Sequence, residues 1–368
     1  MNGFFVFNNY QCLWCFIVAA LATLAATTAF AQSSVTIWGI ADAGLQNASQ
    51  NGVTKTQLSS SGNASSQLGF KGTEDMGGGM SASFWLESAL TMDAPAAVNF
   101  ARRQTLDLAG SLGAIRLGRD YTPTFWNHTV FDPFGTVGSG AGSNITGRGQ
   151  NATTGARTSN GISYLYGYAA NGGSSLGSGV YAQATYAPGE QLSTSATNKS
   201  GEYTGVRIGY ANGPLNIALA TAESINGALK DKETNIGASY ELGYANVSAK
   251  YGTNNLKTAV AASGLIPAIA AAEYTWYSIG AKIPLGNGYI PVSYNNSKNN
   301  VDSKNANQFA VGYVYNFSKK TVAYGTYSKI TNNNGANYGF NGGNGGFGSG
   351  LAPTGNGTGY DIGLRTSF

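Results

Sequence analysis

Few side chains in this sequence could carry covalent chemistry, and none of them has the right company. His128 is the single histidine, and a nucleophilic triad needs a histidine with both an acid and a nucleophile arranged around it. No such arrangement can be argued around His128, and a tight metal site needs three or four ligands. Cys12 and Cys15 have the CxxC spacing of redox and metal sites, but they sit in an apolar stretch without strand–helix context. Gly135, Gly138, Gly140 and Gly142 resemble a phosphate cradle only superficially, because no strand precedes them, no helix follows and no Lys-Ser or Lys-Thr pair appears. What remains is electrostatic. Lys71, Glu87, Arg103, Asp107, Arg116, Arg119 and Asp120 fall between positions 71 and 120, with Asp132 and Arg148 shortly after. Cations and carboxylates on facing walls of a narrow, partly desolvated passage create a transverse field, which orients dipolar solutes and favours ions of one sign. This chemistry calls for no enzyme, no cofactor and no metal.

Charges can face each other in that way only if a sheet holds them, and from Ser34 onward the pattern has the period of two that marks strands. Val35–Asp42 opens it; Leu68 and Phe70, then Ala82, Phe84 and Leu86, alternate with polar neighbours, followed by runs near 100–110 and 113–120. The rhythm returns at 161–168, 179–188, 202–212, 214–223, 233–242, 244–253, 273–285, 288–297, 306–318, 320–330 and 359–368, which makes sixteen strands in all. Very short turns such as Asn212-Gly213-Pro214 and Gly286-Asn287-Gly288 alternate with long Gly/Asn/Ser/Thr connections at 189–201, 224–232, 254–272 and 331–358. That asymmetry is typical of outer-membrane barrels. The loops, 331–358 above all, read as solvated.

The same alternation sorts the charges. It puts Lys71, Glu87, Arg103, Asp107, Arg207, Lys250 and Arg365 on the polar face, and it selects Arg116 rather than Arg119, since Ile115 and Leu117 hold the apolar side. Arg102 falls on the wrong face, at an interface or between subunits. A soluble sandwich would show similar stripes with the apolar face inward. Two features favour a membrane instead: stripes of about nine to eleven residues, the length of a tilted spanning strand, and Tyr and Phe at stripe ends, as in aromatic girdles. Charged residues are only 10% of the chain, against about a quarter in soluble domains. An even strand number permits closure, which lipid requires, and sixteen strands leave an aqueous lumen.

One stretch breaks the rhythm. From Gly118 to Tyr164 some forty residues lack a strand pattern, yet they carry Phe125, Trp126, Phe131 and Phe134 with Pro123 and Pro133. A solvated loop has no use for such side chains. The reading is a loop, about 122–160, packed on the inner wall of a barrel and narrowing its channel, with Trp126 and Phe131 as packing residues rather than a sugar-stacking surface. Residues 13–31 form an apolar stretch ending in Ala29-Phe30-Ala31, the small-x-small pattern of a signal-peptidase site. The expected domains are therefore a 1–31 signal peptide and a 32–368 barrel starting at Gln32, although no Lys or Arg precedes Lys55 to supply the usual basic n-region.

Taken in order, SSVTIWGIADAGL, SQLGFKGTEDMGGGMSASFWLE, FARRQTLDLAG, GAIRLGRDYTP, RTSNGISY and the terminal GYDIGLRTSF resemble the general trimeric porins of Gram-negative outer membranes, closest to the beta-proteobacterial type. The resemblance covers the whole mature chain. It implies an all-β, 16-stranded antiparallel transmembrane β-barrel with a long third loop folded into the lumen. It also implies a homotrimer surrounded by outer-membrane lipid and lipopolysaccharide. Phe368 would be the C-terminal signal read by the barrel assembly machinery. Residue by residue, it places Arg103, Arg119, Arg157 and Lys71 in a basic cluster facing the loop; Gln67 stands where relatives often carry another arginine. On that match Arg119 ranks above Arg116. The expected basic constriction is then Arg103, Arg119, Arg157, Lys71, Arg116 and Arg148, and the acidic one Asp132, Asp120, Asp107 and Glu87. The expected function is diffusion of small hydrophilic solutes and ions with weak anion preference, and no nucleic acid is a partner. The alternatives are a substrate-specific channel for an organic anion or a sugar, and an adhesin or receptor.

Overall fold

The computed structural model describes residues 34–95, 97–146, 156–168, 179–195, 197–227, 229–257, 272–340 and 355–368. The leader and Arg148 lie outside them. Seventeen strands follow in order: β1 (Ser34–Gln50), β2 (Val53–Ser60), β3 (Gln67–Gly77), β4 (Met80–Ala89), β5 (Arg103–Gly110), β6 (Gly113–Tyr121), β7 (Arg157–Tyr166), β8 (Gly179–Ala187), β9 (Tyr203–Asn212), β10 (Leu215–Asn226), β11 (Leu229–Glu241), β12 (Asn246–Leu256), β13 (Ala272–Leu285), β14 (Gly288–Asn299), β15 (Asn305–Asn316), β16 (Thr321–Asn333) and β17 (Gly357–Ser367). Two helices, α1 (Pro123–Val130) and α2 (Ser143–Thr146), lie between β6 and β7.

All strands form one antiparallel sheet that closes on itself where β1 meets β17, from Ile40↔Ser367 to Gln50↔Gly357. Phe368 continues this seam by exchanging backbone hydrogen bonds with Gly39. On its other edge β1 meets β2 along Ala43–Gln50 and β3 along Ser34–Ile40. Since β2 and β3 share that edge and run the same way, they are two pieces of one interrupted position, and the seventeen strands fill sixteen places in the barrel. The sequence pattern misses β2 because its two large apolar residues, Val53 and Leu58, stand five positions apart with only polar residues between them, so no alternating apolar stripe forms. The connection expected at 224–232 is also shorter than read, with β10 reaching Asn226 and β11 starting at Leu229.

The two faces are inverted relative to a soluble protein. On β5, Leu106 and Leu108 are 58% and 51% exposed while Arg103, Thr105 and Asp107 are buried. Tyr360, Ile362 and Leu364 on β17 are likewise exposed, with Asp361 fully buried between them. An apolar outside and a polar inside suit a barrel in lipid. Among the described residues no helix is long and apolar enough to cross a membrane. Tight hairpins at Gly213 (φ +54°) and Gly286 (φ +56°) need the left-handed backbone that glycine adopts without steric cost.

Two connections turn inward. The 122–146 segment starts at α1, where the Thr122 side chain accepts from the Phe125 amide and Pro123 occupies the first turn, and through side chains and backbone it meets the inward faces of β9–β12 and then of β14, β15 and β17. The second, over 334–340, departs from the solvated loop expected at 331–358, of which 341–354 lie outside the described residues. Ala336, Tyr338 and Phe340 are buried with Ala48, Ala306, Ile330 and Ile145 of α2. Gln50 and Asn332 donate to the Tyr338 carbonyl at 2.7 and 2.8 Å, and the Tyr338 hydroxyl meets Ser297 at 3.0 Å. A backbone that enters the lumen must find partners for its polar groups, and asparagine and glutamine on the wall provide them.

Candidate functional site

Strand register assembles the charges into one patch on the inner wall. Trp38 pairs with Gly69, Gly69 with Glu87, and Glu87 with Arg103. One row along, Lys71 pairs with Trp85 and Trp85 with Thr105; beyond that, Asp107 pairs with Arg116. Because cross-strand neighbours stand close on a shared face, residues far apart in sequence become a continuous surface.

Within it the cations are held in two ways. Arg116 is clamped by carboxylates, donating from Nε and Nη2 to Asp107 at 2.9 and 2.8 Å and from Nη1 to Asp120 at 2.6 Å. Arg103 and Lys71 rest instead on aromatic rings. The Arg103 guanidinium lies 4.5 Å from the Trp85 ring centroid, with Asp120 and Asp107 only at 3.7 and 3.8 Å, and Lys71 Nζ lies 5.0 Å from the same ring. A cation over an aromatic face is attracted by the ring quadrupole, and the ring itself brings no opposite formal charge. Arg157 stacks 4.2 Å from Tyr121 and donates to its hydroxyl at 2.8 Å.

Three expected placements change. Arg119 keeps the outward side of β6, donating to the Ala101 carbonyl and Ser159 Oγ, and it does not border the cavity described below. The irregularity between Gly118 and Asp120 does exist, but its extra residue lies in β7, where Ser159 and Asn160 oppose Arg119 alone; β6 therefore keeps its alternation and Arg116 is the inward residue. Arg102, expected on the wrong face, is buried against Glu87 Oε1 at 2.6 Å and borders the cavity. Phe100, at φ +44°, turns the chain just before β5, so alternation does not extend back to Arg102. Burial opposes the Arg102 charge, but the oxygens of Tyr121 and Glu87 outweigh it and raise its pKa.

The third concerns the acids. Asp132 does not face the arginines. It is buried on the opposite wall, where Lys250 Nζ meets its Oδ2 at 2.9 Å and the Phe134 and Gly142 amides donate to its carboxylate. Asp120 belongs to the wall rather than to the loop. His128 is a second anchor, fully buried with Nε2 at 2.6 Å from Glu233 and its ring 4.5 Å from Trp276. Asn127 bridges Asn235 and Arg207 at 2.8 Å each, and farther along the Ser139 amide donates to Asp361 at 2.6 Å. Phe131 packs where a side chain at Gly237 would collide with it, so this aromatic is a packing residue. The sequence showed Lys250 and Arg207 on the polar face, but their loop partners, about a hundred residues away, left no local signal. Trp85 and Tyr121 were missed as cation carriers because their cations come from other strands.

Between patch and segment lies a cavity of about 660 Å3. Its wall side includes Trp38, Lys71, Trp85, Glu87, Arg102, Arg103, Asp120 and Tyr121; its loop side, among the described residues, is Trp126, Thr129, Gly135, Thr136 and Val137, without a carboxylate. Among the described residues no group of three His, Cys, Asp or Glu could hold a metal ion.

This charged, water-accessible interior inside an apolar shell finds its counterpart in known proteins. The Gram-negative porin family model matches residues 18–335. The chain belongs to that family. It is 35% identical over 364 residues to outer membrane porin protein 32 of Delftia acidovorans, covering 95% of this chain and 98% of that one. An outer membrane porin protein of Bordetella pertussis is 27% identical, with 85% and 93% covered. Among solved structures, an anion-selective porin from Comamonas acidovorans superposes with TM-score 0.80 at 30% identity, over 92% of this porin and all of that chain. A trimer form of OmpT from Vibrio cholerae gives TM-score 0.64 at 14% identity, with 91% and 99% covered, a likeness of fold. The porin is thus an outer-membrane diffusion channel and not an enzyme.

Proposed function

We propose that this porin is a homotrimeric channel for small hydrophilic solutes with a preference for anions, and that its narrowest passage runs between the Lys71–Arg103 wall and the inward segment. The observation that carries the proposal is the charge lining the cavity: Lys71, Arg102 and Arg103 against Glu87 and Asp120, three positive to two negative, with none from the loop side among the described residues. Fixed charge in a narrow, low-dielectric passage selects by sign. The name of the Comamonas relative, anion-selective, supports the sign, and the trimer form of OmpT supports the assembly. Arg157 acts here through Tyr121. Arg116, Asp107 and Asp120 form the rigid base of the patch.

The remaining roles follow the family resemblance. Residues 1–31 leave as a signal peptide, Phe368 at the seam is the residue read by the assembly machinery, and lipid and lipopolysaccharide surround the apolar shell. Mass measurement of the purified protein tests the leader: a chain starting at Gln32 is expected, and a retained leader would overturn it. In planar bilayers the porin should open in ohmic steps grouped in threes, with a zero-current potential on the chloride side in a potassium chloride gradient. Isolated single steps would dismiss the trimer, and a potential on the potassium side would dismiss the charge assignment.

A further inference from the structure

We propose that the cavity wall holds a binding site for planar aromatic carboxylates, built from the Trp38 indole and the Lys71 ammonium. The inference rests on the open, anion-preferring passage above and names the solute class that would dwell in it.

A passage that handled only hydrated inorganic ions would have no use for an apolar lining, yet Trp38, Ile40, Trp126 and Val137 all border this one. The indole of Trp38 is laid against the wall. A Cβ at Gly69 would fall 2.3 Å from Trp38 Cε2, so only glycine lets the ring lie so close, and it meets Trp85 edge-to-face with centroids 5.2 Å apart. Pressed flat from behind and half-buried, the ring turns its remaining surface to the cavity it lines. Lys71 stands beside it on the same face. Trp38 pairs with Gly69 and Thr36 with Lys71, so the two side chains are diagonal neighbours, roughly 7–8 Å apart at their backbones, within reach of long and aromatic groups.

The lysine is available. Its ammonium is steadied by Trp85 at 5.0 Å, and among the described residues no carboxylate lies within salt-bridge distance of it. A benzoate-like anion would place its carboxylate on Lys71 Nζ and its ring over Trp38, with Ile40 and Val137 closing the apolar flank. An aliphatic carboxylate of equal size would keep the ion pair but lose the ring contact. An aromatic cation would meet Lys71, Arg102 and Arg103. Aromatic pairing beyond simple burial corresponds to about a two- to twelvefold gain in occupancy.

The test uses the folded porin in planar bilayers, carrying chloride current, with sodium benzoate or sodium cyclohexanecarboxylate added. Benzoate should half-block at a concentration about two- to twelvefold lower. Trp38→Leu should bring the ratio to about one, and Trp38→Phe should keep a ratio above one. If Trp38→Leu does not assemble, Lys71→Gln takes its place: both half-blocking concentrations should rise while their ratio persists. Equal block of the wild type by both anions overturns the site, as does an unchanged ratio in Trp38→Leu or unchanged block in Lys71→Gln. Chloride current with equal block sinks this inference alone. An absence of chloride current from folded protein sinks the channel reading along with it.

Discussion

Replacing Lys250 by methionine asks what keeps the inward segment inside the barrel. Lys250 Nζ donates to the His128 carbonyl and to Asp132 Oδ2, both at 2.9 Å, with the lysine and aspartate side chains buried. Methionine keeps much of the volume and removes both bonds, leaving the buried carboxylate with the Phe134 and Gly142 amides as its hydrogen-bond donors among the described residues. Removing one partner of a buried pair costs about 3–5 kcal/mol. With a factor of ten for each ~1.4 kcal/mol, the segment's opening constant should rise by roughly two to four powers of ten. Amide hydrogen exchange read by mass spectrometry tests this directly, because local opening sets the exchange rate. Peptides covering 131–146 should exchange faster by that factor while β13–β16 keep wild-type protection. The double variant Lys250→Met with Asp132→Asn removes the uncompensated charge and should recover most of the protection. An acceleration below tenfold in the single variant would refute the reasoning and pass the anchoring to His128, Asn127 and Ser139.

Three further outcomes are expected. Arg119→Gln should leave the zero-current potential as in the wild type, whereas Arg103→Gln should move it toward the potassium side; the reverse order would restore Arg119 to the passage. Arg116→Gln leaves Asp107 and Asp120 without their closest cation and should cost about 3–5 kcal/mol, lowering the temperature at which the barrel unfolds on a denaturing gel; unchanged heat stability would show that the clamp does not matter. Phe340→Ala removes a fully buried ring at a cost of about 3–5 kcal/mol, which should free the 334–340 segment from the inner wall and raise single-channel conductance; unaltered conductance would mean that the segment does not limit flow.

The barrel was legible because its pattern is local. On β15 and β17 each strand states its own two faces through alternation, and sixteen places followed from reading them in turn. That reading failed where alternation is interrupted. β2 has no steady apolar stripe, Arg102 stands one residue outside β5 behind a left-handed Phe100, and the extra residue near Gly118 sits in the partner strand, which no single-strand pattern can reveal. At Arg116 and Arg119 plain parity was the better guide and the family match the poorer one. The pairing of Asp132 with Lys250, the burial of Tyr338 and Phe340 against Ala48, Ala306 and Ile330, and the stacking of Lys71 and Arg103 on Trp85 depend on barrel closure. The aromatic residues of 122–146 did announce an inward segment, because four large rings are not left in water.

The central claim is that the net positive charge of the Lys71–Arg103 wall sets the preference of the channel. Its most direct test is the zero-current potential of the wild type beside Lys71→Glu, in a tenfold potassium chloride gradient at low ionic strength, where screening reaches only beyond about 30 Å at 0.01 M. The account predicts a wild-type potential on the chloride side and a displacement toward the potassium side in the variant, with the difference shrinking as salt is raised. Equal potentials for the two proteins, or a wild type that prefers potassium, would contradict it.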